Sequence, residues 1–321
     1  MARSTLLRRL RRFAVGFFCL LIAAALVGAI YQVVATCLDA TRYAPSGKLI
    51  DIGGRRLHLY CTGSGSATVI LEAGLGGGVL DWPTVQPDLA RDSRVCSYDR
   101  AGIGWSDRGD GARDANSITT DLHALLVAAD IRTPYVLVGQ SIGGAYVQLF
   151  AARYPNEVSG VILVDSSHAD QLSRYTAIPS GVPYAFKIAA PIGVARIVNS
   201  VTQDLPNLPP DRLSERIALS SRTAAVFSTA DEMIAIPDTM AELRAAPMHL
   251  GVKPLIVISR GLSDGGSPDE ESVWRQLQTE LPSLSGNSKH IVAERSGHYI
   301  QFFEPDVVID AIRQVIDETN K

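Results

Sequence analysis

Four cysteines stand in 321 residues, at positions 19, 37, 61 and 96, and none are spaced C-x-x-C. That is too few for a disulfide scaffold, and the spacing offers no metal-ligand set. Basic excess is missing too, since 30 Lys and Arg against 33 Asp and Glu leave a net charge of −3. A nucleic-acid partner needs a positive footprint that these totals do not supply, so none is expected. No internal repeat or low-complexity block stands out, which sets aside a solenoid. Charge is absent altogether from one long run, Phe13 to Ala35.

At about 1.5 Å of rise per residue, an apolar helix of a little over 20 residues crosses a hydrocarbon core roughly 30 Å thick. Residues 13–35 therefore read as a transmembrane anchor. The arginines of "MARSTLLRRLRRF" precede it and few basic residues, Arg42 and Lys48, follow it closely. That asymmetry keeps a short basic segment, residues 1–12, in the cytoplasm and puts the rest of the chain outside it. A cleaved signal peptide has an apolar region of only about 7–15 residues, so length favours an uncleaved anchor. "VATC" ending at Cys37 resembles a lipidation site, but Thr36 is a poor residue before a lipidated cysteine. Residues 36–47 are expected to be a linker rich in turn formers.

From Lys48 onward the pattern changes. "LIDIGGRRLHLY" holds two alternating runs joined by Gly53 and Gly54, a two-residue hairpin signal. Apolar strand-like runs then alternate with helical ones as far as "VSGVILVD", which ends at Asp165. Such alternation implies a mostly parallel sheet covered on both faces. From about residue 166 to 247 the rhythm lapses into proline, serine and short helical patterns, and it resumes with "KPLIVISR". A helical cap inserted into one α/β domain, residues 48–321, explains this, because the late strands need the early ones to complete the sheet.

"PYVLVGQSIGGAYVQLF" places Ser141 where a strand meets a helix, and residues 139–143 fit G-x-S-x-G. A sharp turn there forces strained dihedrals on the serine, and flanking glycines admit the neighbouring backbone. The hydroxyl then projects at the carboxyl edge of the sheet, above a helix N-terminus with its positive dipole end.

A hydroxyl needs a base held by a third group. Of the six histidines, His58, His123 and His290 fall within element-like runs, and His168 and His249 flank or belong to the insertion. His298 lies between the last strand and the last helix, where the chain order Ser, acid, His requires the base. Two carboxylates compete for the third position. Asp264 follows the strand "PLIVISR" and is preferred; Asp165, at the tip of "VSGVILV", is the alternative. Both lie at the carboxyl edge.

Acyl transfer also needs donors for the developing oxyanion. The N–H of Ile142, the residue after the nucleophile, is one, and "LEAGLGGG" offers the N–H of Leu75 as the other. A phosphate-cradling loop is the rival there, but no G-K-[ST] follows.

With "LEAGLGGGVLDW", "RVCSYDRAGIGWSD", "VGQSIGGAYVQLFAARYP" and "SGHYIQFFEPDVVIDAI", the chain resembles the α/β-hydrolase superfamily from about Lys48 to its end. It looks like a bacterial, cap-containing branch with a serine nucleophile. The resemblance implies an eight-stranded, mostly parallel sheet, no metal and no organic cofactor. It also implies Ser141 as nucleophile, His298 as base, and Leu75 and Ile142 as oxyanion donors. It leaves Asp264 and Asp165 undecided, because members place the acid after either strand. Gln140 stands where relatives often carry histidine, which affects pocket polarity. Relatives that open epoxides or displace halide use a carboxylate at the elbow, so serine argues against both reactions. The strand order usual in the family would set Cys61 near Cys96, a pair able to oxidise outside the cytoplasm. Two buried thiols acting as small hydrophobes are the alternative.

The expected protein is a membrane-anchored serine hydrolase acting on small hydrophobic esters through an acyl-enzyme. Amide, lactone or carbon–carbon bond hydrolysis, or acyl transfer, on the same fold is the second possibility, and a non-catalytic ligand-binding module the third.

Overall fold

The computed structural model describes residues 2–174, 178–202, 205 and 208–320. Helix α1 (Ala2–Arg42) comes first. Then follow β1 (Lys48–Asp51), β2 (Arg56–Thr62), β3 (Thr68–Glu72), α2 (Gln86–Leu89), β4 (Arg94–Tyr98), α3 (Ala115–Ala128), β5 (Tyr135–Gln140), α4 (Ile142–Arg153) and β6 (Val158–Val164). Among the described residues six α-helices stand between β6 and the next strand: α5 (Gln171–Arg174), α6 (Gly181–Ala189), α7 (Val194–Thr202), α8 (Pro210–Ser220), α9 (Thr223–Ile234) and α10 (Ile236–Ala245). The chain closes with β7 (Pro254–Arg260), α11 (Pro268–Glu280), β8 (Asn287–Ala293), α12 (Ile300–Phe303) and α13 (Pro305–Thr319).

The eight strands form one sheet in the order β1-β2-β4-β3-β5-β6-β7-β8. β2 runs antiparallel to β1 and β4, and the remaining neighbours are parallel. The sheet is therefore mostly parallel, as the alternating pattern implies. Period-two alternation divides its side chains between two apolar layers. Leu137, Val161 and Val257 pack with Leu122, Leu125, Val147 and Phe150 of α3 and α4. Val136, Val138, Ile162 and Ile258 pack on the other face with Val308, Ile312 and Val315 of α13. These central strands carry near-continuous apolar runs because both their faces are covered.

Cys61 and Cys96 stand opposite each other across β2 and β4 and form a disulfide. Residues 36–42, expected to begin a linker, instead continue α1 to Arg42. Their side chains explain it, since Asp39 accepts a hydrogen bond from Arg196 of α7 at 2.6 Å and so anchors the last turns.

Candidate active site

The central strands end at one edge, and four chain segments converge there. β5 runs into α4 through Ser141, whose φ of 55° and ψ of −126° lie outside the regions a side-chain-bearing residue ordinarily adopts. Tight packing over-determines this strained turn. A Cβ on Gly139 would come within 2.6 Å of the Gly143 carbonyl oxygen, and one on Gly144 within 1.9 Å of Ser166 Oγ. Only glycine lets α4 start so close to β5 and to the tip of β6. The Ser141 hydroxyl is partly exposed and has no hydrogen-bond partner among the described residues.

His298 sits between β8 and α12, partly buried, with its Nδ1 2.6 Å from Asp165 Oδ2. Asp165 follows β6, the strand next to β5. Its own N–H donates to Ile258, while Ser141 N–H donates to Val164, so the two residues lie on adjoining strand ends. Asp165 is fully buried and has a φ of 41°, a second strained non-glycine residue at this edge.

The preference for Asp264 is corrected by this geometry. Asp264 is exposed beyond β7, its N–H donates to Glu271 at 3.2 Å, and no hydrogen bond joins its carboxylate to His298. β6 neighbours the strand that carries Ser141, whereas the loop after β7 is tied outward to α11. Asp165 is also the better supported charge. It accepts from Arg260 Nη1 at 2.8 Å, Arg260 N–H at 3.2 Å and the Trp274 indole N–H at 2.9 Å. Burial works against its charge, but the hydrogen bond and charge of His298, the Arg260 guanidinium and the Trp274 indole outweigh it. Its pKa is therefore held below the ordinary carboxylate value. Arg260 in turn pairs with Glu271 at 3.0 Å and stacks 4.8 Å over the Trp274 ring.

A histidine that donates Nδ1–H to a carboxylate leaves Nε2 as a proton acceptor. Gln140 Nε2 lies 3.3 Å from that Nε2 and donates to the His298 carbonyl oxygen at 3.3 Å. Gln140 thus touches His298 at the ring nitrogen that does not face Asp165.

The loop after β3 has its amides arranged unequally. Gly76 N–H donates to Glu232, Gly77 N–H to Gly74, Gly78 N–H to Asp81 and Val79 N–H to Asp99. Leu75 N–H and Ile142 N–H have no acceptor among the described residues. Leu75 packs in the apolar cluster that contains Ile142. Two free amides beside a hydroxyl suit the stabilisation of an oxyanion.

A buried ionic group that sequence reading missed supports this loop. The Arg100 guanidinium donates to the carbonyls of Ala73 at 2.9 Å and Gly74 at 2.6 Å, and pairs with Glu72 at 2.6 Å and Glu232 at 2.8 Å. Glu232 belongs to α9, so one network ties the helices between β6 and β7 to the loop that carries Leu75. Arg100 sits in the "DRAGIGWSD" segment, and a charged residue directly after the apolar run of β4 was the available signal.

The other histidines lie elsewhere. His58 Nδ1 is 2.8 Å from Asp99, His123 stacks on Tyr154, and His290 Nε2 is 2.9 Å from Ser259 Oγ. No group of three or more His, Cys, Asp or Glu able to hold a metal occurs among the described residues.

A cavity of 220 Å³ lies among α5, α6, α9 and α10, with Leu172, Ile178, Tyr184 and Ile236 in its wall. Leu172 and Ile236 pack against the same cluster as Leu75 and Ile142, while Ser141 and His298 are not in the wall of the cavity.

A family model described as the alpha/beta hydrolase fold matches residues 67–192. The uncharacterised protein YqjL of Bacillus subtilis is 29% identical over 269 residues, 84% of this chain and 91% of its own. The 2-hydroxy-6-oxo-2,4-heptadienoate hydrolase of Pseudomonas putida is 34% identical over 125 residues, 38% of this chain and 45% of its own. Among solved structures, a thermophilic esterase from Thermogutta terrifontis superposes with a TM-score of 0.65 at 20% identity, covering 85% of this chain and 98% of the esterase.

Proposed function

Because this chain belongs to the α/β-hydrolase superfamily, we propose that it is a membrane-anchored serine hydrolase that cleaves carboxylic esters. The observation that carries the reading is the 2.6 Å contact between His298 Nδ1 and Asp165 at the sheet edge that bears the strained Ser141. Ser141 Oγ attacks the ester carbonyl as His298 Nε2 takes its proton. Asp165 holds the imidazole in the tautomer that can accept that proton and stabilises the imidazolium that forms. The N–H groups of Leu75 and Ile142 receive the developing oxyanion. His298 then protonates the departing alkoxide; a water gives its proton to the same nitrogen as it attacks the acyl-enzyme, and His298 returns that proton to Ser141 Oγ as the acyl–oxygen bond breaks and the acid leaves.

The apolar cavity walled by Leu172, Ile178 and Ile236 supports a small to medium hydrophobic acyl group as substrate. Anchoring is supported by α1, which between Arg8 and Arg42 holds an apolar stretch long enough to cross a membrane. The Cys61–Cys96 disulfide supports an extracytoplasmic catalytic domain, where thiols oxidise and stay oxidised. Carbon–carbon bond hydrolysis on the same residues is the second reading, and the Pseudomonas putida relative carries the name 2-hydroxy-6-oxo-2,4-heptadienoate hydrolase.

The test is hydrolysis of p-nitrophenyl esters of graded chain length, beside a carbon–carbon hydrolase substrate, by the full chain in detergent micelles and by Ser141→Ala. Ester turnover that the substitution abolishes supports the reading. Turnover of the carbon–carbon substrate alone replaces it with the second, and no turnover of either refutes both.

A further inference from the structure

α1 does not leave the rest of the chain free. A Cβ on Gly28 would come within 2.4 Å of the Ile192 carbonyl oxygen, so the 3-10 turn Ala190–Ile192, between α6 and α7, lies directly on the α1 backbone. Gly28 is about two helical turns, roughly 10 Å, before the end of the apolar run at Ala35. A turn seated on Gly28 is therefore at the depth of the lipid, if the run spans a bilayer.

Gln32 makes the same point independently. It is the one amide side chain in residues 13–35, where an unpaired polar group is costly because hydrocarbon offers it no hydrogen bond. It is only 2% exposed. Its Nε2 donates to the Ser221 carbonyl at 2.8 Å, and its Oε1 accepts from Arg196 Nε of α7 at 3.3 Å. The helices between β6 and β7 thus satisfy a polar group that lies inside the apolar span.

The surface these helices turn outward matches that location. Residues 181–201 contain two charged side chains, Lys187 and Arg196, and both are paired: Lys187, partly exposed, with Asp231 of α9, and the buried Arg196 with Asp39 and Gln32. What remains outward is Tyr184, Phe186, Ile188, Val194, Ile197 and Val201, with Ile188 75% and Val201 77% exposed. α6 and α7 are nine residues each and bend by 103° around Gly193, too short and too bent to span. Short helices with one apolar face lie in an interface instead.

We infer that the outward face of α6 and α7 is embedded in the outer leaflet beside α1, so that the partner of this surface is the lipid bilayer itself. The inference rests on the anchor reading of α1. It places the cavity walled by Ile178 and Tyr184 next to the acyl-chain region, where an apolar ester can enter without crossing water.

Single cysteines at four exposed positions test it: Ile22→Cys in α1, Ile188→Cys, Val201→Cys, and Val252→Cys in the turn before β7 at the opposite edge of the sheet. Each is made in a Cys19→Ser, Cys37→Ser full chain that keeps the disulfide, labelled with a nitroxide and reconstituted in phosphatidylcholine and phosphatidylglycerol vesicles. The readout is collision with oxygen, which partitions into lipid, against collision with a water-soluble nickel chelate. The oxygen-to-nickel ratio at 188 and 201 is expected to approach that at 22 and to exceed that at 252 several-fold. Water-like ratios at 188 and 201, with a lipid ratio at 22, overturn the inference and leave the anchor standing. A water-like ratio at 22 overturns both. Labels at 188 and 201 shielded from both reagents, with spin–spin broadening, show a second copy on this face and overturn it as well.

Discussion

Asp165 and His298 meet at 2.6 Å, although 133 positions separate them in the chain. The contact exists because β6 is the sheet neighbour of β5 and because the segment after β8 folds back over both strand ends. Two strained residues, Ser141 and Asp165, stand side by side where those strands finish.

In the proposed mechanism, removing the Asp165 charge leaves Ser141 and His298 in position but frees the wrong tautomer. Asp165→Asn is expected to lower kcat by about 10⁴. Asp264→Asn, in an exposed loop, stays within about twofold of the wild type, which is below the effect of losing any single catalytic hydrogen bond. Parallel steady-state assays on the two variants, with circular dichroism to confirm folding, read the difference. Equal losses contradict the assignment of Asp165.

The depressed pKa of Asp165 makes stability depend on acid pH. A carboxyl whose pKa falls on folding contributes stability that is full above its unfolded value, about 4, and is lost as pH falls through the lower folded value. Arg260→Gln removes one of the charges that lower it, so the variant has less of this contribution to lose. The gap in melting temperature between wild type and Arg260→Gln is expected to be widest above about pH 5 and to narrow as pH falls below about 4. A gap that holds constant from neutral pH to pH 3 contradicts the linkage.

Arg100 and Glu232 are both fully buried. Truncating one partner of a buried pair strands the other, at a cost of about 3–5 kcal/mol. Glu232→Ala is expected near the lower end, about 3 kcal/mol, because Glu72 still faces Arg100. Gly76 N–H loses its acceptor at the same time, so kcat falls more than KM changes. Urea unfolding with kinetics on the folded fraction measures both, and a variant as stable and as fast as the wild type contradicts the network.

The Cys61–Cys96 bridge closes a loop of sequence separation 35. Loop-closure entropy gives it about 3–4 kcal/mol, between the values for shorter and longer loops. Cys61→Ala with Cys96→Ala should unfold at correspondingly lower urea, and identical unfolding curves would count against the bridge.

Much of this was legible in the sequence because it depends on local pattern. Strand then serine then helix is a periodicity signal, and it locates Ser141 without tertiary information. The loop before the last helix did the same for His298. Asp165 against Asp264 was not legible, since both follow a strand at the same edge and only sheet order and side-chain direction separate them. The partners of Gln140, Arg260 and Arg100 escaped for a related reason: they lie in other elements, and burial of a polar group shows in packing. Gln32 carries no charge and so does not stand out in the apolar run, and its meaning appears only once Ser221 and Arg196 are seen to satisfy it.

The reactivity of Ser141 is measured most directly by treating the folded full chain with a fluorophosphonate and mapping the modified peptide by mass spectrometry. A single adduct on Ser141, absent in Ser141→Ala and slowed by orders of magnitude in His298→Ala, is the expected result. An unmodified folded chain, or an adduct on a different serine, contradicts the serine-hydrolase mechanism.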